Sequence, residues 1–251
     1  MPAYDPFAQL PGGFSPKDGT LDFYGRVNAL LRPEMTVLDL GAGRAAWFED
    51  DPIAFRKAVR SLKGKVARVI AADVDPAVLD NRAVDESVLI ANGRIPLDDA
   101  SVDLIVCDYV FEHIQDPTAF AAEIGRLLKP GGWLCARTPH RNNLVSVAAR
   151  RVSNRRHAAV LSKVQPDRKE IDVFPTVYRL NTRAAIRRAF TGWRDTSFVF
   201  RSDPAYFFGR KALFKLIGAA GHFLPSSLIG NIFVFLQKPG DARESAASNG
   251  E

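Results

Sequence analysis

The sequence predicts an α/β protein built on a doubly wound, mostly parallel sheet. Three observations predict it. The apolar run Val37-Leu38-Asp39-Leu40 breaks at once into the turn Gly41-Ala42-Gly43, and a strand feeding a glycine turn and then a helix is the ligand-cradling corner of an open α/β sheet. A second β-branched run, Val66–Ala72, ends on a carboxylate, Asp73. Two further apolar runs, Val102–Cys107 and Trp133–Thr138, flank an amphipathic helix expected over Pro117–Leu128, which the stop Lys129-Pro130-Gly131-Gly132 ends.

In chain order, strand one closes on Asp39. A carboxylate at a buried strand end needs a cationic partner; it would repel a pyrophosphate and suit a ligand carrying an ammonium or sulfonium. Glycines at 41 and 43 let the backbone pass close to that ligand. Asp73, at the tip of strand two, can accept both hydroxyls of a ribose, and Val74 can pack on an adenine face. Strand three is expected over Ser87–Ala91, followed by Asn92, whose amide matches the donor–acceptor edge of adenine. Beyond strand five, residues 142–160 read as a helix, 165–172 as a polar loop and 172–179 as extended chain. Asn181 or Thr182 caps a helix reaching Phe190. Trp193–Arg201 reads as strand six and Asn231–Gln237 as a last strand. Between them, Pro204–Leu228 reads as a helix over the hairpin that buries its aromatics in the core, with an interfacial helix on a membrane as the alternative.

Taken together, VLDLGAG, AADVD, NGRIPLDDASVDLIVCDYVFEH and LLKPGGWLCARTP resemble the ordered motifs of class I S-adenosylmethionine-dependent methyltransferases, of the ubiquinone-biosynthesis-like (methyltransferase type 11) group. The resemblance covers about residues 25–139. It implies a Rossmann-like sheet of seven strands with an antiparallel last strand, and S-adenosyl-L-methionine lying across the strand tips. It implies that Asp39, Gly41, Ala42 and Gly43 flank the methionine part, Asp73 the ribose, Val74 and Asn92 the adenine, and that Cys107 and Asp108 offer backbone contacts to the methionine end. Ala45 stands where the family often has a third glycine, a methyl that fits if the helix packs slightly further off. Tyr109 stands where some relatives place a carboxylate metal ligand. Glu112 and His113 alone are too few for a metal site, so none is expected.

Methyl transfer mainly requires two reactants to be positioned, with a base if the acceptor is a hydroxyl. His113, after strand four, and His140, after strand five, are the candidate bases; Tyr109, Tyr178 and Arg179 are candidate acceptor contacts. The expected activity is methylation of a small-molecule, glycan or lipid-linked acceptor. Rival readings are an NAD(P)-dependent oxidoreductase, because Gly41–Ala46 also fits G-x-G-x-x-A, and a non-catalytic binding protein that kept the fold.

The chain has 251 residues, 47% hydrophobic and 25% charged, which suits one domain over about 19–238 with a substrate-side insertion near 140–180. A loose arm over 1–18 and a disordered tail over 239–251 complete the expected organisation. Cys107 and Cys135 read as buried reduced thiols. With neither a signal-peptide pattern nor a long apolar run, the expected location is the cytoplasm, with peripheral contact at the inner face of a membrane held open. The formal charge is +6. Twelve Lys and Arg against three acids fall between Arg141 and Arg188, beside the expected acceptor entrance. An anionic acceptor or surface is the functional reading and a solvated helix face the plain one. Nucleic acid ranks lower, because aromatics are not interleaved with the basic residues.

Neutralising Arg150, Arg151, Arg155 and Arg156 together is expected to raise the apparent Michaelis constant for an anionic acceptor and leave cofactor affinity unchanged. Unaltered acceptor kinetics and salt response would reduce the segment to a solvated face.

Overall fold

The computed structural model of the chain describes residues 6–143, 146–147, 176–203 and 211–240. The helix expected over 142–160, most of the 140–180 insertion, the loop at 165–172 and all but the start of the C-terminal tail lie outside them.

The sheet is built from β1 (Thr36–Leu40), β2 (Arg68–Asp73), β3 (Glu86–Leu89), β4 (Val102–Asp108), β5 (Leu128–Pro139), β6 (Arg194–Asp195), β7 (Phe198–Phe200) and β8 (Asn231–Gln237). The order is β3-β2-β1-β4-β5-β8-β6, with β7 also on β8. Strands β1 to β5 pair in parallel, whereas β8 runs antiparallel to β5 and to both β6 and β7. Although eight stretches are paired, β6 and β7 keep one common register against β8 across Thr196 and Ser197. They are two halves of one edge strand, interrupted where the Ser197 hydroxyl, rather than a carbonyl, accepts from the Phe235 N–H. The expected seven-stranded count with a reversed last strand is therefore met in substance.

The helices are α1 (Gly19–Leu30), α2 (Ala46–Asp50), α3 (Ala54–Arg60), α4 (Pro117–Leu127), α5 (Arg183–Ala189), α6 (Lys211–Phe223) and α7 (Ser226–Ile229). Side-chain alternation along the strands divides the core in two. On one face Leu38, Ile70, Ile105, Leu134 and Val234 meet Ile124 and Leu127 of α4 and Ile186 of α5. On the other, Val37, Val69, Leu104, Val106 and Phe235 meet Phe23, Tyr24 and Val27 of α1. Asp18 caps α1 by accepting from the Thr20 and Leu21 amides, and Arg56 of α3 donates to the same carboxylate at 2.9 Å. Thr182, one of the two expected caps, accepts from Ala185 N–H at the start of α5.

Four expectations need correction. Lys129-Pro130-Gly131-Gly132 ends α4 but does not precede β5: it lies within it, as an irregularity between the Val102↔Leu128 and Leu104↔Trp133 pairs. A side chain at Gly132 would meet the Asp103 and Lys129 carbonyls at 2.9 Å, so glycine is what lets the strand fold over this kink. Ala45, expected to fit through a slightly displaced helix, takes the left-handed conformation itself (φ 52°, ψ 49°) at the start of α2, keeping a glycine-type backbone at about 1–2 kcal/mol of strain. The N-terminal arm is not loose between residues 6 and 18: Phe14 stacks on Phe55, and Ser15 is buried and bonded to Asp203. Finally, α6 does not bury all its large apolar side chains, since Leu216 and Phe223 are exposed.

Phe233 knits the edge of the sheet to α1. It is fully buried, with Phe200 stacked at 4.7 Å and Phe23 and Phe198 at 5.5 and 5.6 Å. Phe233→Ala is expected to cost about 3–5 kcal/mol in denaturant unfolding; a loss below about 1 kcal/mol would show that this aromatic cluster does not hold the edge strand.

Candidate active site

The carboxyl ends of β1, β2, β4 and β5 carry Asp39, Asp73, Asp108 and Arg137. Strand alternation puts all four on the α1 face. The glycine turn after β1 is pinned by the Gly41 N–H donating to Ala72 O at 2.7 Å. Gly41 has φ 74°, and a Cβ there would lie 2.4 Å from Val110 Cγ2; only glycine satisfies both the dihedral and the approach.

Asp73 is buried and its carboxylate is aimed by backbone. Gly43 N–H donates to Oδ2 at 2.9 Å and Asp75 N–H to Oδ1 at 3.0 Å. A carboxylate offers about four lone-pair sites, so an acceptor position remains on each oxygen for a pair of vicinal hydroxyls. Val74 beside it is 62% exposed, an apolar side chain open to a flat ring. Asn92 sits beyond β3 with φ 53°, its side chain exposed. Of the five non-glycine residues with positive φ among the described residues, Ala45, Asn92, Tyr109 and Tyr178 all lie after the strand tips or against the turn that follows β4, the end where strain is stored at functional sites.

Asp39 faces Arg60 at the end of α3. Burial pushes its carboxyl up to about 7, with Asp108 and Asp73 adding to the rise and Arg60 opposing it. Arg60 lies over the rings of Trp47 at 4.5 Å and Tyr24 at 5.4 Å, and its guanidinium reaches Asp108 at 3.3 Å. Asp108 forms a buried bidentate pair with Arg137, both bonds 2.7 Å, while Arg137 also donates to Thr20 Oγ1 and Tyr24 O–H donates to Asp108. Burial would raise the Asp108 carboxyl, but Arg137 and Arg60 hold it below its usual range. Cys107 is fully buried, and burial pushes its thiol well above its usual range.

On the other face, Glu112 in the turn Phe111–His113 is buried and accepts from Thr138 Oγ1 at 2.9 Å. Asn181 donates to Thr138 Oγ1 and Pro139 O, and the Val177 and Tyr178 amides donate to the Glu112 carbonyl. His113 ends that turn. His140 is held by backbone: its Nδ1 accepts from Asn142 N–H, and it makes a hydrogen bond to the Ser227 backbone. Burial lowers its pKa. The Tyr109 hydroxyl oxygen accepts from the Asn231 side-chain amide at 3.1 Å, its ring covers the Arg137 guanidinium at 4.8 Å, Tyr178 is buried, and Arg179 donates to Gln115 O. Among the described residues, no three His, Cys, Asp or Glu side chains come together as a metal site requires.

The structure thus gathers Asp39, Gly41, Ala42, Gly43, Asp73, Val74, Cys107 and Asp108 around one set of strand tips. Sequence reasoning missed Tyr24, Trp47, Arg60 and Arg137. A signal existed for Arg137 alone, a charged residue in an otherwise apolar strand.

A methyltransferase-domain family model matches residues 38–136. A "Probable S-adenosylmethionine-dependent methyltransferase" of Mycolicibacterium smegmatis is 42% identical over 78 residues, 30% of each chain. The ubiquinone biosynthesis O-methyltransferase of Thiobacillus denitrificans is 33% identical over 61 residues, 24% of this chain and 26% of its own. The match thus spans under a third of the length of either relative. Among solved structures, a chain of the Haloferax volcanii complex of the Trm112 methyltransferase activator with a methyltransferase superposes with TM-score 0.58 at 18% identity, covering 88% of this chain and 90% of that one. The [4+2]-cyclase SpnF superposes with TM-score 0.50 at 14% identity over 86% of this chain and 81% of its own. The fold alone therefore does not fix the reaction. Residues 38–136 are thus similar to a methyltransferase domain, and the superposed structures share the fold. The cofactor that the name of the Mycolicibacterium smegmatis relative gives is S-adenosylmethionine.

A ligand ammonium at Asp39 stabilises the ionised carboxylate, so its binding must draw the proton off. S-adenosylmethionine affinity is expected to strengthen as pH rises through about 7 and to lose that dependence in Asp39→Asn. The ligand's own amino group titrates identically in both, so the difference in calorimetric pH profiles isolates Asp39. Parallel profiles would exclude it from the ammonium contact.

Proposed function

We propose that the chain transfers a methyl group from S-adenosylmethionine to a small-molecule, glycan or lipid-linked acceptor. The observation that carries the reading is the pair of carboxylates at the tips of adjacent strands, Asp39 and Asp73, with the glycine turn between them and Asp73 fixed to Gly43 N–H at 2.9 Å. The cofactor supplies a sulfonium-activated methyl. Asp73 takes the ribose hydroxyls, Asp39 takes the ammonium, and Val74 and Asn92 take the adenine face and edge. Cys107 and Asp108, at the end of β4, offer backbone toward the methionine end.

The acceptor enters over the ends of β4 and β5, between Tyr109, the turn bearing His113 and the segment at Tyr178. A hydroxyl acceptor needs a base. His113 and His140 are the candidates for that role; His140 is also tied to the chain at Asn142 N–H and to the Ser227 backbone, between β5 and α7. The excess of Lys and Arg between residues 141 and 188 supports an anionic acceptor.

Calorimetry followed by methyl transfer from labelled cofactor tests the reading. Binding is expected at about micromolar Kd, near −8 kcal/mol, with no binding of NAD. Asp73→Ala is expected to weaken it by about 1–3 kcal/mol. Cofactor affinity unchanged in that variant would remove Asp73 from the ribose contact.

A further inference from the structure

The chain leaves the sheet after Phe200 and re-enters at Asn231, and these two residues pair with one another. Asn231 also stands opposite Pro139, at the carboxyl end of the parallel strands. Helices α6 and α7 are therefore attached at the same end of the sheet as Asp39 and Asp73. Phe214 holds α6 to the N-terminal segment through an edge contact with Phe7 at 5.8 Å.

The outer face of α6 is apolar. Ala212, Leu216, Ala219 and Phe223 are all exposed, and their spacing places them on one helical ridge. Leu216 is 66% and Phe223 91% exposed. Lys211 and Lys215 are exposed along one flank of the ridge. No Asp or Glu occurs between Asp203 and Asp241, a stretch that contains Arg210, Lys211, Lys215 and Lys238. A surface helix ordinarily turns this ridge inward.

We propose that α6 docks on an anionic lipid surface, with Phe223 and Leu216 entering the boundary between headgroups and acyl chains and the lysines facing anionic headgroups. Charge decides the occupant. A second copy docking through the same ridge would bring the lysines of both copies together with no acid on the helix to pair them. Two large side chains are also a small fraction of a stable protein interface, yet they suffice for reversible interfacial binding. The proposal does not rest on methyl transfer. It places the strand tips toward the membrane.

The test uses the full chain. Cys107 and Cys135 are fully buried, so a Phe223→Cys variant takes an environment-sensitive fluorophore at one site. Vesicles of phosphatidylcholine with a share of phosphatidylglycerol are expected to brighten and blue-shift the label, and vesicles of phosphatidylcholine alone to leave it unchanged. In co-sedimentation with unlabelled chain, Leu216→Asp/Phe223→Asp is expected to lower partitioning at least about tenfold. Lys211→Gln/Lys215→Gln is expected to lower it about fivefold per lysine. Both variants are expected to keep cofactor affinity, which reports the fold. Absence of native partitioning, partitioning unaffected by Leu216→Asp/Phe223→Asp, or a dimer in sedimentation that this variant abolishes would each overturn the proposal.

Discussion

Much of this structure hangs on one buried ion pair, Asp108 with Arg137. The two residues face each other across the β4–β5 register and join through two 2.7 Å bonds with both side chains 6% exposed. Burying two charges is costly, and removing one partner strands the other. The surrounding groups satisfy what the pair leaves over: Thr20 accepts from Arg137, Tyr24 donates to Asp108, and the rings of Phe23 and Tyr109 cover the guanidinium. One interaction thus ties α1 to the middle of the sheet and sets the floor on which Tyr109 lies.

The pair also governs the electrostatics of the strand tips. Asp39, Asp73 and Asp108 converge on one face, and three carboxylates there repel. Arg137 neutralises Asp108, which leaves Arg60, braced between Trp47 and Tyr24, to be shared between Asp108 and Asp39. Burial raises the Asp39 carboxyl, and Asp108 and Asp73 add to the rise against Arg60. The proposed ammonium contact would supply Asp39 with a further positive charge. Asp73 differs in being held by the Gly43 and Asp75 amides, and the proposed ribose contact would use the lone pairs left on its oxygens.

The sheet was legible in the sequence because β1, β2 and β4 are apolar runs ending on a carboxylate or glycine, and local periodicity is enough to find such runs and the apolar stretches of β5 and β8. The residues that the structure gathers at the strand tips were legible because they lie at those run ends. Arg60 was not: it closes a short helix, and nothing in its neighbourhood shows that α3 brings it across to Asp39 and Asp108. The kink at Lys129–Gly132 was read as a boundary because Pro-Gly-Gly normally ends elements; the pairing of Leu128 with Val102 before the kink continues the strand through it. The density of aromatics over 204–228 marked a helix but not which of its faces is covered, because tertiary attachment decides that. Ser197 likewise interrupts the edge strand through a single side-chain acceptor, a substitution invisible to any pattern of hydrophobicity.

The most direct measurement is a double-mutant cycle on Asp108 and Arg137, read by unfolding free energy. If the pair is the structural hub, Asp108→Ala and Arg137→Ala each cost about 3–5 kcal/mol. The double variant then costs far less than their sum, with a coupling of about 2 kcal/mol or more. Additivity within about 0.5 kcal/mol would contradict the account, because the two residues would then act independently and the α1 face would owe its arrangement to apolar packing alone.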